Sequence, residues 1–423
     1  MPASAPELNP DDVAAFVRDH CFAPSSDDRI GVELEWLTVD ERDHQRPPSP
    51  ARTRAVLRAA QALRDDDVLP AGSRLTFEPG GQLELSSPPE TTVTGACQVA
   101  AADLAAARDA LAASGIRLVG LGLDPVRECI RLLDAPRYRA MEEYFDRLGD
   151  TGRSMMCRTA AVQINVGAGT GEQLHRRWHL AHTLGPALAA AFANSPLDGG
   201  MPSGWRSTRL AVWLALDRGR TAPADDGGHP ADAWTRYVLD ARVMLIRGAD
   251  DRYVPLDRDL TFAAWMRDGH ELGFPTIDDL EYHLTTLFPP VRAKGWLELR
   301  MIDALPDPWW RVPVAVASAL LLDDATSGWA ARIGHGVAGL WTEAARHGLA
   351  FPALAEGARA CFALAAEALP RVGADADTCA LVAAYNDRWV ARGRSPADDR
   401  LEEWAEGGDP LSPDPGVPER VSR

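Results

Sequence analysis

Acidic, amide and, in one case, basic side chains occur in pairs, with the partners two residues apart, at four places in the sequence. Alternate residues of a β-strand point to the same face, so each pair would lie on one face of a strand. If the four strands share a sheet, four carboxylates meet there and repel one another unless a cation neutralises them. The pattern therefore predicts a metal-binding floor made of Glu33 and Glu35, Gln82 and Glu84, Gln163 and Asn165, and Glu298 and Arg300.

Phosphate chemistry is the reaction class that such a floor favours. Carboxylate oxygens suit Mg²⁺ or Mn²⁺, which keep coordination positions free for water and phosphate oxygens. The sequence has no Walker A loop and no GxGxxG motif that opens a helix, so side chains would have to hold a phosphate. Arg292 and Lys294, directly before the last of the four strands, suit that task, and Arg158 and Arg209 are further candidates.

Lys294 is the only lysine among the 44 basic residues, and all the others are arginine. A compact ammonium and a planar guanidinium fork are not interchangeable, so a required ammonium would explain its presence. The alternative is chance in a chain biased towards arginine and alanine. Its place beside the Glu298 strand favours the functional interpretation.

Four segments must supply the strands that position these side chains. Residues 30–39 alternate cleanly, with apolar residues opposite the two glutamates. We interpret residues 74–87 as one strand with a kink at Pro79-Gly80-Gly81, and we leave Glu78 out of the candidate set because the kink breaks the alternation. Residues 156–166 and 295–301 are predicted to form the other two strands, and residues 237–247 a further one.

An ordinary solvated sheet face is the alternative interpretation of these paired polar residues. Such a face usually mixes lysine, threonine, arginine and serine, whereas this one concentrates glutamate. The simplest fold class is α+β, with a helical C-terminal third. We predict a single catalytic domain over residues 1–406, helices over 312–392, and a disordered tail over 407–423.

Composition limits the classes of partner. The chain has 423 residues, 46% of them hydrophobic, and a net charge of −17, which argues against nucleic acid and anionic membranes as main partners. We find no apolar run long enough to span a membrane and no signal peptide at the N-terminus. The six cysteines are scattered without a CxxC motif, which fits reduced thiols in a cytoplasmic protein.

Six motifs follow one another in a fixed order: GVELEW at 31–36, FEPGGQLELSSPPET at 77–91, MMCRTAAVQIN at 155–165, FANSP at 192–196, SGWRSTRLAVW at 203–213 and HLTTLFPPVRAKGWLELR at 283–300. In order and spacing they resemble glutamate–cysteine ligases of the plant and actinobacterial type. The resemblance covers about residues 30–311, and the motifs together are specific, although GVELE alone would be weak. The sequence looks most like the actinobacterial branch that makes γ-glutamylcysteine for ergothioneine.

The resemblance implies a fold like that of glutamine synthetase, in which a curved antiparallel sheet of about six strands carries helices on its outer face. It implies ATP-dependent joining of the glutamate γ-carboxylate to the cysteine amine through γ-glutamyl phosphate. The roles it implies are metal ligands at Glu33, Glu35, Glu84 and Glu298; catalytic contacts to phosphate and substrate at Arg292, Lys294 and Arg300; substrate binding at Arg158, Gln163, Asn165, Ser207 and Arg209; and nucleotide binding at Gln82.

The sequence departs from the family pattern at two places, and two alternative functions remain possible. After Asn165 the family often continues with Leu-Asp, but this chain has Val166-Gly167, so any role of that aspartate is lost or supplied elsewhere. No cysteine pair matches the regulatory disulfide of the plant enzymes, so no switch of that kind is predicted. The alternatives are a ligase of the same fold with another acceptor amine, and a silent relative that binds ATP or an amino acid without turnover.

Overall fold

The computed structural model describes residues 8–23, 28–225, 227–248, 252–257 and 259–412. Its main feature is an antiparallel sheet that has seven strands within these ranges. The sheet is thus slightly larger than the six strands expected. Its strands are β1 (Ile30–Asp40), β2 (Arg74–Phe77), β3 (Leu83–Ser86), β4 (Ile116–Val119) and β5 (Ala161–Gly167); two short hairpins, β6 (Leu197–Asp198) with β7 (Met201–Pro202) and β8 (Leu245–Arg247) with β9 (Tyr253–Pro255), lie apart; and β10 (Val291–Ala293) and β11 (Trp296–Asp303) complete the sheet.

The strand order brings the four polar pairs side by side. Along the sheet the order is β10-β11-β5-β1-β3-β2, and β4 pairs with the end of β1. Glu35 lies opposite Glu84 on the neighbouring strand, and Glu33 lies opposite Gln163. The expectation that these strands share one sheet is therefore confirmed.

The other face of the sheet is apolar and covered by helices, as the alternation requires. Ile30, Val32, Leu34 and Trp36 of β1 are buried. The helix at Val93–Ala112 packs on β1, the helix at Glu172–Ala191 on β11 and the helix at Arg311–Leu322 on β5. The helices are α1 (Pro10–Phe16), α2 (Pro50–Ala59), α3 (Val93–Ala112), α4 (Pro136–Asp146), α5 (Thr151–Arg158), α6 (Glu172–Ala191), α7 (Thr208–Ala215), α8 (Arg218–Thr221), α9 (Pro230–Asp240), α10 (Phe262–Asp268), α11 (Ile277–Leu284), α12 (Arg311–Leu322), α13 (Ser327–Val337), α14 (Trp341–His347), α15 (Pro352–Ala368), α16 (Ala376–Arg388) and α17 (Pro396–Ala405).

Residues 74–87 form a β-hairpin, so the prediction of one kinked strand is wrong. β2 and β3 pair with each other in antiparallel register. The chain reverses at Pro79-Gly80-Gly81, where Gly81 adopts a φ of +88° and its N–H donates to the Glu78 carbonyl at 2.8 Å. A positive φ is easily accessible to glycine, which explains why the turn forms here.

Two other predicted strands are partly helical. Met156, Cys157 and Arg158 belong to helix α5, and the strand begins only at Ala161. The predicted strand over 237–247 is helix α9 as far as Asp240, and only Leu245–Arg247 is extended. In both places the apolar run is short, and periodicity alone cannot decide whether such a run forms a helix or a strand.

The C-terminal third is helical, as predicted, from α12 to the single turn Val390–Arg392, with α17 beyond it. Leu411 is buried against the cluster that contains Leu37 and Val39, whereas residues 407–409 are exposed, and the disordered tail stays a prediction. Residues 413–423 of that prediction lie outside the described residues. Among the described residues, no single helix is long and apolar enough to cross a membrane; the pair Trp341–Ala350 and Pro352–Val372 reaches that length only together, with a bend of 81°.

Candidate active site

A cavity of about 780 Å³ opens over the polar face of the sheet. The sheet forms its floor, α4 and α5 form one wall, and the segment after α1 reaches the other end. Eight of the predicted site residues line it: Glu33, Glu35, Glu84, Gln163, Arg209, Arg292, Lys294 and Arg300.

Three carboxylates converge at one end of the floor. Oxygen atoms of Glu35, Glu78 and Glu84 all lie within 4.8 Å of one another. Glu35 comes from β1 and Glu84 from β3, while Glu78 is delivered by the hairpin turn. The structure therefore adds Glu78, which the sequence analysis left out, to the candidate residues, because the turn folds it back over the face that Glu84 occupies.

Burial sets the electrostatics of this cluster. It raises the pKa of Glu35 to about 7, with the Glu84 charge acting in the same direction. It also raises the pKa of Glu78 well above its usual range, and Glu84 and Glu35 add to that effect. Buried carboxylates this close together are more stable when they bind protons or a cation than when all of them are ionised without a counter-ion. The cluster is thus a site that a divalent cation would stabilise.

Amide side chains hold the two glutamates of β1 in place. Gln163 donates from Nε2 to Oε1 of Glu35 at 2.6 Å, and Asn165 donates from Nδ2 to Oε1 of Glu33 at 2.9 Å. Burial, with the charges of Glu298 and Glu84, raises the pKa of Glu33. Gln163 reaches the cavity, whereas Asn165 lies at its rim and accepts a hydrogen bond from Trp296.

A basic group occupies the β10–β11 end of the floor, arranged around Glu298. Arg292 donates to both carboxylate oxygens of Glu298, at 2.6 and 3.1 Å, and Lys294 and Arg300 donate at 3.1 and 2.9 Å. Although burial opposes ionisation, these three cations hold the pKa of Glu298 far below its usual range. Glu298 is fully buried, so its predicted role as a metal ligand would require it to exchange these partners.

Arg209 is a buried guanidinium with unused donors. Its Nη2 donates to the carbonyl oxygen of Arg300 at 2.8 Å, but its Nε and Nη1 have no hydrogen-bond partner within the described structure. Unpaired buried donors are costly, so an anionic group of a ligand is the natural partner for them. The ring of Trp213 lies beneath both guanidiniums, 5.8 Å from Arg209 and 6.0 Å from Arg300.

Asp303 anchors the segment that carries Arg209. Its carboxylate accepts hydrogen bonds from the Asn194 N–H at 2.8 Å, the Ser195 hydroxyl at 2.7 Å and the Ser207 hydroxyl at 2.8 Å. Burial raises the pKa of Asp303, although Arg209, 3.9 Å away, acts in the opposite direction. Ser207 therefore touches Asp303 and caps α7, rather than facing the cavity.

Arg158 and Gln82 lie outside the cavity lining. Arg158, at the end of α5, donates to the Asp124 carbonyl at 2.8 Å and forms an ion pair with Asp198. Gln82 is buried and donates to the Thr159 carbonyl at 2.9 Å, which ties the hairpin to the end of α5. The geometry gives no support to substrate binding by Arg158 or to nucleotide binding by Gln82.

Sequence reasoning missed Glu78 and Asp303, and also the apolar wall of the cavity. Pro-Gly-Gly after Glu78 is a turn signal that could have revealed the hairpin. Asp303 lies two residues beyond the predicted end of its strand and has no sequence signal of its own. The wall is lined by Tyr138, Met141, Met155, Met156 and Phe288, with Phe16 at the opposite end.

Residues 29–412 match the family described as glutamate-cysteine ligase family 2. The chain belongs to this family. It is 39% identical over 427 residues to the glutamate–cysteine ligase EgtA of Mycobacterium tuberculosis, with 96% of each chain covered. It is 41% identical over 377 residues to EgtA of Mycolicibacterium smegmatis, covering 88% of this chain and 86% of that one.

The fold is also similar to that of a solved ligase structure. The structure of glutamate–cysteine ligase from Francisella tularensis, in complex with AMP, superimposes with a TM-score of 0.54 at 12% identity. The superposition covers 91% of this chain and 86% of the Francisella tularensis chain. The α+β fold class and the resemblance deduced from the motifs are therefore confirmed, and this member of glutamate-cysteine ligase family 2 is an enzyme of the ligase class.

Proposed function

We propose that this protein joins the γ-carboxylate of L-glutamate to the amine of L-cysteine at the expense of ATP, giving γ-glutamylcysteine, ADP and phosphate. The observation that carries the proposal is one cavity floor on which a carboxylate cluster lies beside a row of cations. Acidic side chains suit a metal nucleotide, and basic ones suit the phosphoryl and carboxylate groups that react. Membership of the family supports the same reaction.

The carboxylate cluster fits a divalent cation. Glu35, Glu78 and Glu84 offer hard oxygen ligands within 4.8 Å of one another, and two of them have pKa values that burial and mutual repulsion raise. These donors suit Mg²⁺, with Mn²⁺ as the alternative. When bound, the ion would neutralise charge on the ATP phosphates. We keep Glu33 and Glu298 as further candidates for a second ion.

The transferred phosphoryl group is served by the basic end of the floor. Arg292 and Lys294 both reach Glu298 in the free protein, and both line the cavity. A phosphoryl group that arrives beside them can share these donors with Glu298. Phosphoryl transfer depends mainly on position and charge neutralisation, so these residues would stabilise charge on the transferred oxygens without covalent chemistry.

Glutamate is held by the buried arginines. The Nε and Nη1 of Arg209 lack hydrogen-bond partners and face different sides of the guanidinium, so each can donate to a carboxylate oxygen of the substrate; the Nε of Arg300 is also unpaired. This arrangement would orient glutamate so that its γ-carboxylate attacks the terminal phosphoryl group and releases ADP. The amine of cysteine then attacks the acyl carbon, and phosphate leaves. We omit Arg158 and Gln82 from the proposed contacts and assign Ser207 a positioning role through Asp303.

ADP release with glutamate, with and without cysteine, tests the proposal. A glutamate–cysteine ligase releases ADP in proportion to γ-glutamylcysteine when both amino acids are present. A panel of other amines in place of cysteine identifies a ligase with a different acceptor, while ATP binding without ADP release would refute turnover altogether.

The product would serve ergothioneine synthesis in the cytoplasm. The likeness to the two mycobacterial EgtA proteins supports this assignment, and the six cysteines are all free thiols, as reduced proteins of that compartment have. Deleting the gene in its host should remove ergothioneine and spare thiols that do not derive from γ-glutamylcysteine. Unchanged ergothioneine in the deletion strain would refute this part of the proposal.

A further inference from the structure

Two of the free cysteines are in contact with each other, although 28 positions separate them. The side chains of Cys129, in the loop before α4, and Cys157, in α5, lie close enough to influence each other's ionisation. The Cys129 thiol also lies 2.9 Å from the carbonyl oxygen of Arg153, one turn earlier in α5. Both cysteines are only half-buried, so small molecules in solution can approach them.

The pair has the electronic asymmetry of a reactive dithiol. The neighbouring Cys157 thiol lowers the pKa of Cys129, and the Arg158 and Arg153 guanidiniums act in the same direction against burial. The Cys129 thiol and burial raise the pKa of Cys157. A thiol with a lowered pKa next to a second thiol that can resolve a mixed disulfide is the arrangement of redox-active cysteine pairs.

Both cysteines also support the turn that carries Glu78. The backbone of Cys157 touches Gly80 so closely that a Cβ at Gly80 would lie 2.0 Å from the Cys157 carbonyl oxygen. On the other side, Leu132, three residues after Cys129, donates its N–H to the Pro79 carbonyl at 2.7 Å. The hairpin turn is therefore held between the two segments that a disulfide would pull together.

We propose that Cys129 and Cys157 are a thiol-modification site that a low-molecular-weight disulfide oxidises, and that the resulting protein disulfide slows the ligase by displacing the turn that presents Glu78. The effect on rate rests on the proposed function, whereas formation of the disulfide does not. This pair is unrelated to the plant-type disulfide considered from the sequence. An enzyme whose product is a thiol would thereby respond to the oxidised form of small thiols.

The exchange balances with one small disulfide for each protein disulfide. The Cys129 thiolate attacks one sulfur of R–S–S–R, which forms a mixed disulfide and releases one thiolate. Cys157 then loses its proton and attacks the Cys129 sulfur, which releases the second thiolate. The protein pair loses two electrons, and the small disulfide gains them and becomes two thiols. Cysteine in reduced form reverses both steps.

The test treats the full-length protein with 2-hydroxyethyl disulfide and reads intact mass and peptide map. We expect a mass loss of about 2 Da and one disulfide-linked peptide pair containing Cys129 and Cys157, as two thiols form one disulfide. Cys129→Ser and Cys157→Ser should abolish this species. Cys379→Ser, which removes another half-buried thiol on α16, should leave it intact.

Rate is measured on the same samples with an acceptor that cannot reduce the disulfide. L-2-Aminobutyrate has the amine of cysteine but no thiol, and ADP release with it should fall about tenfold on oxidation, because small misplacement of a positioned group costs that much or more. Weaker binding of ATP with Mg²⁺, measured by calorimetry, gives a readout without turnover. Dithiothreitol should restore both.

Three outcomes would overturn the proposal. One is that no mass loss occurs, and a second is that the disulfide joins other cysteines. The third is that the Cys129–Cys157 disulfide forms while ADP release and nucleotide binding stay unchanged. A mixed disulfide at Cys21, whose side chain lines the cavity, would appear as a mass gain and would assign the inhibition to that residue. Failure of the ligase assay in the reduced protein would count against the proposed function alone.

Discussion

Replacing Glu78 with glutamine should abolish metal-dependent turnover without weakening the fold. The substitution keeps the shape of the side chain and removes its charge. In the structure Glu78 is one of three glutamates whose oxygens lie within 4.8 Å of one another, and the hairpin turn alone delivers it. The sequence pattern gave it no role, so this residue tests the structural argument independently of the strand alternation.

The expected effects differ with and without the metal. Burial and the neighbouring glutamates raise the pKa of Glu78 and favour its neutral form in the metal-free protein, so a neutral glutamine there should cost little stability. When the metal is bound, replacing a residue that only holds a metal ligand in place already lowers metal affinity or activity by about 10- to 100-fold. A direct ligand should cost at least the upper figure, about 2.7 kcal/mol.

The assay combines ADP release across a Mg²⁺ series with thermal unfolding in EDTA and in Mg²⁺. Glu78→Gln should lose at least about a hundredfold in kcat/KM, unfold no earlier than the parent in EDTA, and gain less stability from Mg²⁺. Glu143→Gln, on the exposed side of α4, is the matched control and should behave like the parent. A Glu78→Gln protein with the parent's rate and Mg²⁺ dependence would refute the assignment of the carboxylate cluster.

Three further expectations concern the other end of the floor and the core. Asp303→Asn should raise the KM for glutamate by about ten- to a hundredfold, which corresponds to the loss of one hydrogen bond to a charged group. The effect on kcat should be smaller, because the substitution loosens the segment that carries Arg209. Equal losses in both constants would contradict a positioning role. Lys294→Arg should slow ADP release by about tenfold, since a bulkier fork cannot replace the ammonium beside Glu298; unchanged turnover would leave the single lysine to chance. The imidazoles of His182 and His283 are buried, which lowers their pKa values to about 4 and about 3. Unfolded histidine binds its proton near pH 6.5, so their contribution is intact above that pH and falls by up to about 2 kcal/mol each at pH 5; unfolding curves from pH 7 to 5 should show this loss, and His283→Gln should show a shallower one.

Alternation in the sequence was sufficient to predict the acidic face. Glu33 and Glu35 are separated by one apolar residue that the core requires, so their direction was determined by the burial of Leu34. The same logic held for Glu84 and Gln163, and the register placed Glu35 opposite Glu84. Where one face must be buried, side-chain direction follows from sequence.

The chain reversal after β2 and the end of helix α5 could not be predicted from the sequence in the same way. Pro79-Gly80-Gly81 is compatible with a bulge within a strand or with a tight turn, and only the pairing of β2 with β3 decides between them. Arg158 followed an apolar run that reads as a strand, yet the run is the last turn of α5 and the guanidinium is drawn to Asp198. Long-range contacts made both decisions, and the sequence does not contain them locally.

Glu298 shows why a shared face does not by itself assign a shared role. It lies on the same face as Glu33, Glu35 and Glu84, but three cations donate to it: Arg292 on β10, Lys294 just after that strand, and Arg300 on its own strand. Because its charge is fully compensated, its carboxylate stays ionised while those of the opposite cluster have raised pKa values. The floor is therefore divided: among the described residues no basic side chain forms an ion pair with the carboxylates at one end, and the cations at the other end are already paired with Glu298. A nucleotide that brings a divalent ion supplies the missing charge at the first end and offers phosphate oxygens to the donors of the second, so one ligand can compensate both.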